Sequence, residues 1–247
     1  MRMRTSGALV MAAIGSSALF GQSFEVVSVK PGDPTSRRSG DFLVLPGGRL
    51  EVTDLTLGIL IREAFGVKRY QISGGPKWLE TDRFDISARA AAESSRDQMM
   101  LMMQGALVER FKLAVRRETR EGNVYVLVAA KSGPKLKQSD ADQSFVRLYR
   151  NTPPELAGVS YSITGQKVSM ALLAERLGEL QLGRPVLDRT GIKGEFDIKL
   201  DYAIDDNPET GASIFTAMQE QLGLKLQAAK GPVDMLIIEH AQKPSAN

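Results

Sequence analysis

Phe84-Asp85-Ile86 and Phe196-Asp197-Ile198 are one triplet written twice, 112 residues apart. Each copy sits in a matching context. Upstream of the first, Leu55-Thr56-Leu57 leads into a helical pattern containing Leu60. Upstream of the second, Val168-Ser169-Met170 leads into one containing Leu173. Leu60 precedes Phe84 by 24 residues, and Leu173 precedes Phe196 by 23. Downstream, Phe111-Lys112-Leu113 follows the first triplet by 27 residues, and Leu224-Lys225-Leu226 follows the second by 28. Shared order and spacing predict an internal duplication, and a repeat dictates architecture before any local propensity does.

The first copy opens with valine-rich strands. Phe24 to Lys30 reads as one, stopped by Pro31, and Phe42–Leu45 and Arg49–Val52 flank the turn Pro46-Gly47-Gly48. Leu57, Leu60, Ile61, Ala64 and Phe65 then recur at helical spacing behind the N-cap Thr56, and Gly66 closes the helix. Strands follow at Tyr70–Ile72 and Arg83–Ala88. Ser95 and Gln98 form a capping box for a second helix whose inner face is Met99, Met103, Ala106 and Leu107. A hairpin is expected from Phe111–Val115 and Val124–Ala129, turning at Glu121-Gly122-Asn123.

The second copy repeats the plan. Ser169 caps a helix with Met170, Leu173, Ala174, Leu177 and Leu180 inward, and Arg184–Leu187 and Phe196–Asp201 are strands. Ser213 caps a helix with Phe215, Met218 and Leu222 on one side. A last hairpin is expected around Lys230-Gly231-Pro232, with a loose tail after Gln242. Both copies therefore read strand–helix–strand–strand–helix–strand–strand. The fold class is α+β, with helices packed on largely antiparallel sheets. The expected division is 1–22 signal peptide, 23–131 first module, 132–162 linker and 163–247 second module. The linker assignment rests on Gly133-Pro134, Ser139-Asp140-Ala141-Asp142 and Pro153-Pro154.

Residues 1–22 read as a secretory signal. Arg2 and Arg4 precede an uncharged stretch from Gly7 to Phe20, about 21 Å of helix at 1.5 Å per residue, short of a membrane span. Cleavage is expected between Gly21 and Phe24. The expected location is periplasmic or extracellular, with no membrane span after signal removal. The chain has no cysteine, which excludes disulfides, thiolate nucleophiles and cysteine metal sites. Its net charge is +3, and loss of Arg2 and Arg4 leaves 30 basic against 29 acidic residues, or +1. That balance argues against nucleic acid as a partner. Arg37-Arg38, Arg116-Arg117 and Lys131, Lys135 and Lys137 read as solvated clusters.

The residues of the duplication also carry a resemblance. The run from Tyr70 through Gly74-Gly75-Pro76-Lys77-Trp78-Leu79 to Asp82-Arg83-Phe84-Asp85-Ile86 is similar to the signature of a soil-associated exported protein family. That family is expanded in Acidobacteria and is of unknown function. Phe24-Glu25-Val26, Glu109 to Leu113, Leu182 to Val186, Asp188 to Gly191 and Glu220 to Leu226 extend the similarity over the mature chain. The family has a more proline-rich segment where this chain has Phe145 to Tyr149. The resemblance implies an exported protein and supplies no catalytic residue. Similar domains are found attached to membrane peptidases of the beta-lactam-sensor type, which associates the family with sensing.

No catalytic, metal or cofactor constellation is expected. His240 is the single histidine, so a histidine-pair metal site is excluded. Ser132-Gly133-Pro134-Lys135 has Ser-x-x-Lys spacing, but Gly-Pro makes a turn where that chemistry needs a helix. Asp85 and Asp197 should point out of their strands and order neighbouring loops. Asp201, Asp205, Asp206 and Glu209 lack calcium-loop spacing. The candidate recognition surface is the turn Gly74-Gly75-Pro76, which carries the only tryptophan, Trp78, flanked by Tyr70 and Arg83. Tyr70, Gly74, Gly75, Trp78 and Arg83 are therefore the candidate ligand-binding residues. The favoured function is a non-enzymatic exported binding or sensing module, its partners envelope fragments or an envelope protein. A cell-envelope hydrolase and a scaffold component of an envelope assembly are the alternatives.

Overall fold

The computed structural model describes residues 23–33, 40–151, 160–203 and 211–244. The expected signal peptide lies outside these residues, as do Asp205, Asp206 and Glu209. In chain order the elements are β1 (Phe24–Pro31), β2 (Asp41–Leu45), β3 (Arg49–Thr56), α1 (Leu57–Phe65), β4 (Ile72–Gly74), β5 (Arg83–Ala90), α2 (Arg96–Phe111) and β6 (Ala114–Ala129). They continue with β7 (Lys137–Gln138), β8 (Phe145–Arg150), β9 (Ser160–Val168), α3 (Met170–Leu177), β10 (Val186–Asp188), β11 (Phe196–Ala203), α4 (Ile214–Gln221) and β12 (Leu224–His240). Strands paired mostly antiparallel, with four α-helices among the described residues, make this an α+β fold.

The chain divides into two compact units. One holds the described residues up to Gly66, then Pro76–Leu113 and the segment from Ala241; the other holds Val67–Gly75 and Ala114–His240. This division differs from a cut at 131 and 163, because β4 and β6 belong with the later strands.

The first unit is an antiparallel sheet in the order β1-β5-β3-β2 with helices α1 and α2. The helix signals act as their chemistry requires. The Thr56 hydroxyl accepts from the Ile59 N–H, and Ser95 and Gln98 exchange side-chain and backbone bonds at the start of α2. α1 buries Leu57, Leu60 and Ile61, while α2 buries Met99, Met103, Leu107 and Phe111. Phe111 is the last residue of α2 and does not start a strand. On β5, Phe84, Ile86, Ala88 and Ala90 are buried, and Arg83, Ser87 and Arg89 are exposed. The Phe84 ring meets Phe111 edge-on, with centroids 5.0 Å apart.

The second unit has two sheets, β7-β11-β9-β8 and β10-β6-β12-β4. Its core gathers Ile163, Leu173, Leu177, Leu200, Met218 and Leu224. The expected linker supplies β7 and β8. Val146 and Leu148 pack against this core while Arg147 and Tyr149 are exposed, a period-2 pattern that the surrounding turn residues outweighed. On α4 the inward residues are Ile214, Ala217 and Met218; Phe215 faces outward, 41% exposed. Leu180 falls in a π-helical turn, Gly178–Leu182, that extends α3.

Neither expected hairpin forms. β6 and β12 run antiparallel along their whole lengths, from Ala129 opposite Leu224 to Ala114 opposite His240. The two predicted turns face each other mid-ladder, Gly122 opposite Gly231 and Glu121 opposite Pro232. A tight hairpin turn needs glycine at positive φ, and among the described residues neither Gly122 nor Gly231 adopts it. Each glycine instead accommodates a valine: a Cβ at Gly122 would stand 3.0 Å from the Val233 side chain, and one at Gly231 3.2 Å from Val124. β4 pairs with β12 only over Leu236–Ile238, so the missing N–H of Pro232 breaks no pairing with β4.

Buried Phe84 and half-buried Phe196 give an unequal prediction. Phe84→Ala should cost about 3–5 kcal/mol and Phe196→Ala about half of that in urea unfolding. Equal losses would contradict the burial.

Candidate functional site

The five candidate residues fall on both units. Trp78 and Arg83 belong to the first, and Tyr70, Gly74 and Gly75 to the second.

Pro76 holds an extended backbone, and Lys77–Glu80 form a 3₁₀ turn whose Leu79 is buried. Trp78 is half-buried and edge-on to Phe84, with centroids 6.2 Å apart. Lys243 lies over the Trp78 ring, its Nζ 5.8 Å from the centroid, and pairs with Asp82 at 2.5 Å. That hydrogen bond, outweighing burial, holds the Asp82 carboxyl below its usual range. The Gln242 N–H donates to the Phe111 carbonyl at 2.7 Å, which places Lys243. The tail expected to be loose after Gln242 therefore contributes to the Trp78 surface. No local signal in the sequence joins Lys243 to Trp78.

Arg83 is committed inside the fold. Its guanidinium donates to the Asp54 carbonyl at 2.6 Å and reaches the Asp54 carboxylate at 3.3 Å. Asp54 is buried at φ 53, a left-handed conformation that costs a non-glycine residue free energy. Arg83 and Asp85 hold it there from two sides, since the Asp85 carboxylate accepts the Asp54 N–H at 2.8 Å. Asp85 was expected to face solvent and order a neighbouring loop; it is half-buried and instead holds the irregularity of β3 at Asp54, between Val52 and Leu55. Asp197 is also half-buried; its Oδ1 has no partner among the described residues, and its Oδ2 lies 3.6 Å from Lys137.

Gly74 has a packing reason for being glycine. Its φ is 85, and a Cβ would come within 2.5 Å of the Ile238 carbonyl. Gly75, at φ 78, is exposed. Tyr70 is half-buried in a 3₁₀ turn, Arg69–Gln71. A Cβ on Gly178 would lie 3.6 Å from its hydroxyl. Burial pushes the Tyr70 phenol up, Lys68 opposes, and Glu179 and Glu175 reinforce the rise.

Lys68 bridges Glu175 at 3.0 Å and Glu179 at 2.9 Å, and Arg176 joins Glu179 at 2.9 Å. Burial works against the charge on Lys68, yet its bonds to Glu179 and Glu175 leave it above its ordinary value. Burial likewise opposes the Glu179 charge, and Lys68 and Arg176 overcome it to leave Glu179 low.

Elsewhere, His240 is exposed at the end of β12. Lys135 donates to the Glu220 carbonyl at 2.7 Å, so Ser132-Gly133-Pro134-Lys135 forms no one-turn helical pair. Among the described residues no group of three His, Cys, Asp or Glu is placed to hold a metal ion, and no helix is long and apolar enough to cross a membrane.

The Lys68 cluster makes stability depend on pH at both extremes. Glu179, lowered in the fold, contributes above its unfolded value near 4.5, and this is lost as pH falls through the folded value. Lys68, raised in the fold, contributes below about 10.5 and loses it as pH rises through the folded value. Glu179→Gln should flatten the acid limb of melting temperature against pH, and Lys68→Met the alkaline limb. Limbs of unchanged slope would show that the cluster is solvated.

No curated protein and no solved structure matches the chain. A family model, described as a protein of unknown function (DUF3738), matches residues 58–241. That span runs from α1 past the end of β12 and takes in Trp78, Arg83 and the whole β6–β12 ladder, so the chain belongs to the DUF3738 family.

Proposed function

We propose that the protein is an exported, non-enzymatic binding or sensing module that takes carboxylate-bearing fragments of the cell envelope on the Trp78 surface. The observation that carries this reading is the Trp78 ring, half-buried against Phe84, with the Lys243 ammonium over it. A rigid aromatic ring beside a cation suits the apolar face of a sugar or peptide bearing a negative charge. Arg83, held by Asp54, serves this surface by fixing the start of β5.

The proposal includes an internal duplication. Supporting it are the orders β1-β5-β3-β2 and β7-β11-β9-β8 and the matched helix pairs α1/α3 and α2/α4. Asp54 and Lys167 support it further: both have positive φ, each two residues before its N-cap, Thr56 or Ser169.

Export is tested by mass spectrometry of the protein from its native host. A new N-terminus between Gly21 and Phe24 is expected, and an intact Met1 in the cytosol rejects the reading.

The binding claim is tested on Trp78→Ala and Trp78→Phe, with melting temperature and affinity for a soluble peptidoglycan digest measured on each. Trp78→Ala should lower the melting temperature by a few degrees and weaken binding about tenfold or more. Trp78→Phe should keep more of the stability. Unchanged affinity in both variants, or no binding by the natural chain, rejects the site.

A further inference from the structure

Arg184 is fixed where few arginines need to be. Gly183 turns the chain sharply at φ 58. The Arg184 carbonyl lies against Gly178, where a Cβ would come within 2.7 Å. The next carbonyl, of Pro185, accepts the Tyr125 N–H at 2.8 Å. The backbone is thus held on both sides of Arg184. The guanidinium lies over the Tyr125 ring, 5.2 Å from its centroid, and Tyr125 packs against the exposed Phe215, with centroids 5.4 Å apart.

Arg184 is half-buried, yet among the described residues its guanidinium has no carboxylate or carbonyl partner. Arg83 spends its donors on Asp54, and Arg176 pairs with Glu179. A guanidinium carries five donors in a planar fork that fits a carboxylate at two points. Stacked on an aromatic face it is partly desolvated and already oriented, so little rotamer freedom is lost when a carboxylate arrives. Tyr70 stands two residues before β4 as Arg184 stands two before β10, so only the β10 side has a cation at this place.

We infer that Arg184, Tyr125 and Phe215 form a binding platform for a small molecule with a free carboxylate on an apolar-faced body. The carboxylate takes the Arg184 fork, and the body lies on Phe215. The platform does not involve Trp78. The same carboxylate chemistry comes from an acidic sugar or from a peptide C-terminus, and the probes separate these sources.

The experiment titrates the full mature chain, followed by NMR of the Arg184 side-chain N–H and the Phe215 ring and by calorimetry. N-acetylmuramic acid is set against N-acetylglucosamine, which lacks the lactyl carboxylate, and D-alanyl-D-alanine against its amide. At least one carboxylate should shift both sets of resonances saturably, and neither neutral partner should. Arg184→Gln should weaken that binding about tenfold and Phe215→Ala several-fold, with melting temperatures nearly unchanged. If Arg184→Gln melts early, Arg184→Lys replaces it; it keeps the charge but loses the fork, and must still bind more weakly. The inference is overturned if neither carboxylate perturbs Arg184, if neutral partners bind equally, or if the Arg184 variants keep full affinity. Loss in Trp78→Ala with no loss in Arg184→Gln would place the ligand on Trp78 and remove the platform.

Discussion

The antiparallel ladder between β6 and β12 is the constraint on which the second unit depends. Its strands are 16 and 17 residues long, well beyond the usual strand of about five or six. β4 and β10 attach to it as short parallel strands, one at Leu236–Ile238 and the other at Tyr125–Leu127. The places of β4 and of Arg184 follow from this. β4 can lie alongside β12 because Gly74 lets the Ile238 carbonyl approach, and β10 carries Arg184 to Tyr125 on β6. At one end of the ladder both strands run directly in sequence into the other unit, Ala114 from Leu113 and His240 into Ala241.

Charge alone does not separate working cations from structural ones here; what each cation already touches does. Arg83 looked free in the sequence beside a tryptophan, and its donors are used to hold a left-handed aspartate. Lys243 looked like part of a loose tail, and it lies over that tryptophan. Arg184 was expected to open a strand, and it lies just before β10 with a fork that has no partner among the described residues. Pairing an arginine with a buried carboxylate makes it part of the fold, whereas stacking it on a ring leaves its donors for an outside partner.

Local chemistry was legible in the sequence. Thr56, Ser95, Ser169 and Ser213 cap the helices assigned to them, and α1, α2 and α3 bury the expected residues except Phe65 and Leu180, which are half-buried. Caps and apolar faces are set by neighbours within a turn or two, so a single sequence carries them. The α+β class followed from the same periodicities. The errors were non-local. Gly122 and Lys230-Gly231-Pro232 look like turns because glycine and proline usually break strands, and only the partner strand decides otherwise. Phe215 was assigned inward on helical spacing, but Ile214 and Ala217 take that face once β11 and β12 are in place. The candidate site was likewise grouped by nearness in sequence, although the chain passes between units from Gly75 to Pro76.

The length of the ladder also bears on the order of events as the chain folds. The pairings between β6 and β12 join residues 95 to 126 positions apart, so their loop-closure entropy is met only when the last strand is present. Until then β6 lacks its longest partner, and its N-terminal half presents Arg116, Arg117, Glu118, Arg120 and Glu121 to solvent. Dense alternating charge on an unpaired strand discourages pairing with a neighbouring chain. The run that looked like a solvated patch thus guards a waiting edge, keeping the unfinished protein apart from its copies until its own C-terminus arrives.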